Sequence, residues 1–225
     1  DGPFTVESTC RVIKKYAITN LTGSPTAYRL LIAAGEAFSS KIKGQLRAVS
    51  SAGEPLNPEV IRWFDEQLNV TIHDHYGQTE VGMVLCNHHG LTHPVHRGAA
   101  GFASPGHRIV VLDDNHQELP VGQPGILAVD RSQSPMCWFG GYLGIKTKAF
   151  VGDYYLSGDT VELNADGSIS FVGRSDDVIT TSGYRVGPFD VESALLEHPA
   201  VIEAAVVGKP DAERTELVKA FVVLG

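Results

Sequence analysis

Basic residues are in short supply in this chain: 18 Lys and Arg stand against 26 Asp and Glu, a formal net charge of -8. Nucleic-acid binding depends on clustered cations that neutralise phosphates, and no such cluster occurs, so nucleic acid is not expected as a partner. Cysteine is rarer still. Cys10, Cys86 and Cys137 are odd in number and widely scattered, which argues against a disulfide framework and for a reducing, cytoplasmic setting. No apolar run reaches the ~20 residues that a membrane-spanning helix needs. The first residues are Asp-Gly-Pro rather than methionine, and the chain reads as an internal piece of something longer. What remains is ordinary globular composition, 43% hydrophobic and 20% charged over 225 residues. That argues against disorder and is enough for one large domain or one and a half.

Hydrophobic periodicity divides the chain into three parts. Over residues 1–97 helix-like and strand-like pieces alternate: helices at 6–16, 25–35 and 58–68, strands at 17–21, 46–51 and 70–74. Pro25 and Pro58 suit the first turn of a helix, and Val60, Ile61, Phe64 and Leu68 recur at helical spacing. That rhythm implies an α/β fold, a parallel sheet with helical crossovers. Ligands collect at the carboxyl ends of such strands, where Gly53-Glu54-Pro55 and Asp74-His75-Tyr76-Gly77 are expected as neighbouring loops. Residues 86–106 are rich in Gly, His and Pro and read as loop. Short strands at 108–112 and 125–130, and a hairpin at 160–173 turned at Asp166-Gly167, predict a small β subdomain over 98–173, a barrel or meander packed on the α/β part. From 174 to 225 a helix at 188–197 and strands at 201–207 and 218–224 predict the start of a small α+β domain.

The densest polar chemistry lies between the second and third parts, in Phe171 to Arg185, FVGRSDDVITTSGYR. Guanidinium and carboxylate groups there offer paired hydrogen bonds to hydroxyls or oxyanions, although a charged hairpin between two domains reads equally well from this segment alone. Its companions change the weighing. Tyr76-Gly77-Gln78-Thr79-Glu80, Tyr155-Leu156-Ser157-Gly158-Asp159, Gly173-Arg174-Ser175-Asp176-Asp177 and Ser182-Gly183-Tyr184-Arg185 occur in order. Together they resemble the class I adenylate-forming enzymes, and most of all the short- and medium-chain acyl-CoA synthetases.

The resemblance implies an AMP-forming acid–thiol ligase that joins a carboxylic acid to ATP as acyl-AMP and hands the acyl group to coenzyme A. It implies that Asp159 accepts from the ribose hydroxyls with Arg174 beside it, and that Gly53, Glu54, Pro55, Asp74, His75, Tyr76 and Gln78 build the rest of the nucleotide site. Thr79 would meet phosphate and Glu80 would bind Mg2+, hard oxygen donors of the kind that ion accepts. Gly77, with Pro25 and Thr26, would shape the acyl pocket; tryptophan stands at the matching position in acetate-specific relatives, so glycine implies a larger acid. Asp176 would be the hinge of a mobile small domain, Gly183 and Tyr184 would line the coenzyme A channel, and Arg185 would complete the catalytic set near phosphate or coenzyme.

Two parts of the resembled enzymes have no counterpart in these residues: the hydroxyl-rich phosphate loop and the catalytic lysine, which Lys209 does not replace. This piece is therefore expected to be inactive alone, since electrostatic stabilisation of the transferring phosphoryl group is usually the largest catalytic contribution. The alternatives are an adenylation module of a peptide synthetase, a luciferase-like enzyme, or a non-catalytic nucleotide-binding fragment. Cys86, His88, His89, His93 and His96 are dense enough to suggest zinc, but their spacing matches no standard site. They are expected as solvated loop side chains.

Overall fold

Thr5 starts the first helix, α1 (Val6–Lys15), by accepting the Ser8 amide on its hydroxyl at 3.1 Å, and the helix buries Cys10 and Ile13. The computed structural model describes residues 4–96, 98–211 and 213–225; residue 97, the expected end of the α/β part, lies outside them. Ala17 takes a positive φ of 48° and turns the chain out of α1. The first strand, β1 (Asn20–Gly23), thus begins later than the expected 17–21. Helix α2 (Pro25–Ala33) has proline in its first turn and Ser24 as cap, and Gly35 at φ 52° restarts the chain as a further helix, α3 (Glu36–Ile42), that hydrophobic periodicity does not reveal.

Strand β2 (Ala48–Ser51), helix α4 (Pro58–Leu68) and strand β3 (Ile72–Gln78) follow. β1, β2 and β3 are parallel, with Leu21 beside Val49 and Val49 beside Ile72. The core on this side gathers Tyr28, Phe38, Val49, Phe64 and Ile72, all buried. Each burial of this kind contributes about 1.5–3 kcal/mol relative to an exposed side chain.

The expected α/β class is found, with a larger sheet than residues 1–97 predict. β3 leaves β2 after Asp74 and pairs antiparallel with β4 (Gly82–Cys86), which pairs with β5 (Ala99–Ala103). β5 lies within the stretch expected as loop, and β4 ends at its first residue. Glycine and histidine composition points to turns, but Gly101 is needed here because a Cβ would run into the Cys86 backbone. The path continues through β10 (Ile169–Arg174), β9 (Tyr154–Leu163), β7 (Pro124–Asp130) and β6 (Ile109–Leu112), with β8 (Phe150–Val151) on β9. The β-rich part, expected as a barrel or meander packed on the α/β part, instead extends the same ten-stranded sheet. Its core holds Val84, Leu85, Leu127, Val129, Tyr155 and Val161.

The remaining strands, β11 (Ile179–Thr181), β12 (Tyr184–Val186), β13 (Val201–Asp211) and β14 (Thr215–Leu224), form a separate four-stranded sheet in the order β12-β11-β14-β13. Helix α5 (Pro188–Leu196) joins it to the large sheet. The approach is close: a Cβ on Gly187 would fall on the Val172 carbonyl of β10. Asn57, buried ahead of α4, caps nothing and instead donates to the Ser193 hydroxyl on α5 at 3.0 Å. Asn57→Ala should therefore cost about 1 kcal/mol and loosen the small lobe, seen as faster limited proteolysis of residues 174–187 with the large sheet intact.

Candidate functional site

A cleft of about 700 Å³ opens between the two sheets. β3 supplies Asp74, Tyr76 and Gln78, the β9–β10 hairpin supplies Asp159 and Arg174, and the small lobe closes it with Phe189, Val206 and Glu216.

Asp159 and Arg174 meet because they are cross-strand partners in the β9–β10 ladder. The Asp159 carboxyl is only 4% exposed as a residue, yet it has three neighbours. One oxygen, Oδ2, accepts the Tyr76 hydroxyl at 2.5 Å and the Gln78 amide Nε2 at 3.0 Å. The other, Oδ1, faces Arg174 Nη1 at 3.6 Å. Burial pushes this carboxyl up from its ordinary pKa, while the Tyr76 hydrogen bond and the Arg174 charge oppose the rise. Arg174 also lies 3.5 Å from Asp176, which is exposed in the turn between β10 and β11.

The segment expected as a loop after β3 is the strand itself: Asp74 to Gln78 lie within Ile72–Gln78. The strand persists because it exchanges partners, parallel β2 up to Asp74 and antiparallel β4 from His75. Asp74 sits at that exchange with its Oδ1 buried and unpartnered, and burial lifts its pKa to about 7. The Nε2 of His75 is likewise buried without a partner, and burial lowers that imidazole's pKa. Gly53, Glu54 and Pro55 form an exposed loop on the same cleft. Thr26 anchors it by donating to Glu54 at 2.7 Å, with Arg29 beside them.

Several other expected site residues lie apart from this cleft. Thr79 and Glu80 occupy the β3–β4 turn, and Glu80 accepts the Tyr142 hydroxyl at 2.7 Å. Their oxygens have the chemistry Mg2+ accepts, but they are not among the cleft walls. Gly77 does line the cleft, yet the place of its missing side chain is taken by the Gly82 carbonyl, so the hairpin alone accounts for the glycine. Pro25 is buried at the start of α2 and reaches the cleft only indirectly, through Thr26 and Glu54. Ser182 and Gly183, at φ 50° and 85°, make the two-residue turn between β11 and β12. Open space surrounds Gly183, and Tyr184 and Arg185 are exposed beyond it.

The histidine-rich stretch meets the expectation of solvated side chains only in part: His89 and His96 are exposed, while His88 and His93 are half-buried. Cys86 is buried against His88, while the His89 ring stacks on His73 at 3.9 Å and shares a hydrogen bond with Ser50. His93 packs edge-on to Phe102, and His96 pairs with Asp166 at 2.6 Å. Among the described residues no three His, Cys, Asp or Glu side chains are grouped to hold a metal ion. Tyr155 and Ser157 were missed as site residues: Tyr155 donates to Gln78 Oε1 at 2.8 Å, and the Ser157 carbonyl accepts from Gln78 Nε2 at 2.9 Å. A tyrosine in a strand reads as core, and its hydroxyl partner lies far along the chain.

Residues 2–143 match the family model for AMP-binding enzymes, and residues 190–225 match that for the AMP-binding enzyme C-terminal domain. The chain belongs to the AMP-binding enzyme family. Among the relatives of this AMP-binding enzyme chain is the human mitochondrial acyl-coenzyme A synthetase ACSM4, 43% identical over 98% of the chain and 38% of that protein. A crystal structure of a Brucella canis acyl-CoA synthetase is 63% identical and superposes with a TM-score of 0.77, covering all of this chain and 41% of the other. ATP-bound MatB from Rhodopseudomonas palustris superposes at 0.87 with 29% identity, over 99% of this chain and 43% of that one. The AMP-binding chain thus spans well under half the length of these relatives. No helix among the described residues is long and apolar enough to cross a membrane.

Proposed function

We propose that this chain forms the nucleotide-binding cleft and lobe junction of an enzyme that activates a carboxylic acid with ATP and transfers the acyl group to coenzyme A. In the first step a carboxylate oxygen attacks the α-phosphorus, the bond to the β-phosphate breaks and pyrophosphate leaves. In the second the coenzyme A thiolate attacks the acyl carbonyl and AMP departs. The observation that carries the reading is the Asp159 carboxylate, held in the cleft by Tyr76 and Gln78 and faced by Arg174. A fixed carboxylate suits two ribose hydroxyls, and Tyr76 with the Gly53–Pro55 loop suits a purine face. The names of the acyl-CoA synthetase relatives support the same class.

Within this reading Glu80 would hold Mg2+, which when bound supplies positive charge to phosphate oxygens, and Thr79 would meet phosphate. Gly77, Pro25 and Thr26 border the acyl group, Asp176 is the hinge, and Gly183, Tyr184 and Arg185 face coenzyme A. The lobes divide at residues 173 and 174. A reducing compartment fits the three unpaired cysteines, and the cytoplasm is the setting we favour.

Calorimetry with AMP on the 225-residue chain tests the reading. AMP should bind, and Asp159→Ala should weaken it at least tenfold, the loss of one or two charge-assisted hydrogen bonds at about 1.5–3 kcal/mol each. No heat with either protein would favour a non-catalytic scaffold instead.

A further inference from the structure

Asp159 can present one oxygen to a ligand only if the other is held, and the holding runs deeper than the cleft wall. Gln78 carries that load with both ends of its amide. Its Nε2 donates to Asp159 Oδ2 at 3.0 Å and to the Ser157 carbonyl at 2.9 Å, both acceptors. Its Oε1 faces the opposite requirement and needs a donor. Tyr155 supplies it at 2.8 Å from a ring that is 3% exposed and wedged against Phe139 and Phe150. An amide reversed end for end would point its oxygen at a carboxylate and a carbonyl, and its NH2 group at the tyrosine hydroxyl. Burial raises the Tyr155 pKa, so the phenol keeps its proton.

We infer that Tyr155 is a positioning residue: its hydroxyl locks the Gln78 amide, and the locked amide holds Oδ2 of Asp159 so that Oδ1 stays turned toward Arg174 and the cleft. Tyr155 touches no part of the ligand space itself, since it is absent from the cleft walls. The inference rests on the assignment of Asp159 to nucleotide binding for its consequence, though not for its geometry. The charged and titratable groups around Asp159 are Tyr76, Arg174 and Asp176; Tyr155 also senses the charges of Glu80, Tyr142, Asp159 and Cys137, while its hydroxyl donates to Gln78.

The test uses the 225-residue chain with Tyr155→Phe, Gln78→Met and the double variant, each read in two ways: AMP affinity by calorimetry and titration of the Asp159 carboxyl by 13C NMR. Tyr155→Phe should weaken AMP about fivefold, the worth of one hydrogen bond. It should also shift the Asp159 titration upward, because a loosened Gln78 donates less well to the ionised form. Adding Tyr155→Phe to Gln78→Met should change neither reading further. An unmoved Asp159 titration in Tyr155→Phe, or effects that add in the double variant, would overturn the inference. If the unaltered chain gives no heat with AMP, the nucleotide assignment fails, and the carboxyl titration still decides the role of Tyr155.

Discussion

Asp74→Asn should stabilise the chain at pH 8 and leave it nearly unchanged at pH 4. Burial lifts the Asp74 carboxyl from 3.8 to about 7, opposed only by a hydrogen bond from the His75 backbone. In the unfolded chain the same carboxyl ionises near 3.8. Below that value both states are protonated, and the native state loses nothing. As pH rises from about 4 to about 7 the unfolded state releases a proton that the folded state keeps, so stability falls and then levels off above the folded pKa. The full difference is at most ~4 kcal/mol, and relaxation around the carboxyl will make it smaller. Asparagine has the shape of the protonated acid and never ionises, so it escapes this loss. Urea denaturation of both proteins at pH 4 and pH 8 measures it. A difference between them that is the same at the two pH values would show that Asp74 ionises freely in the folded chain.

Gly77→Ala should be the most damaging glycine substitution in the cleft. A Cβ at this position would run into the Gly82 carbonyl oxygen and lie 2.9 Å from its carbon and from Met83 Cα, all backbone atoms of the facing strand. The β3–β4 ladder is already irregular there, shifting register between Tyr76 and Gly77. A methyl forced between two backbones costs about 3 kcal/mol, and for a chain of this length that lowers Tm by roughly 10 °C. Gly53→Ala supplies the control. Gly53 has a φ of 96° but nothing within 4 Å of its missing side chain, so only about 1 kcal/mol of backbone strain is expected. Thermal melts that rank Gly77→Ala far below Gly53→Ala would establish the hairpin as the reason for the glycine. Equal melts would leave the proposed acyl-pocket role as the reason for the glycine.

Local pattern carried much of the fold. The α/β alternation of residues 1–74, the hairpin turned at Asp166-Gly167 and the helix after Pro188 all left composition or spacing signals, and each element exists within a few residues of its expected place. Strands β4 and β5 left none, because Gly101 and the histidines between them answer to packing across the sheet rather than to strand propensity. The same distinction separates Asp159 and Arg174, brought together by a hairpin that can be read locally, from Tyr155 and Gln78, whose contact depends on how β3 and β9 are placed in one sheet.

The order of residues was therefore sufficient to establish which chemical groups the chain carries, in which motifs, and on what kind of scaffold. Folding in three dimensions settled the state of those groups: which Asp159 oxygen is held and which faces Arg174, that Oδ1 of Asp74 is buried without a partner, and how close α5 comes to β10. The physical reason is that a side chain's identity is local, whereas its hydration, charge state and hydrogen-bond partners depend on atoms delivered from distant parts of the chain.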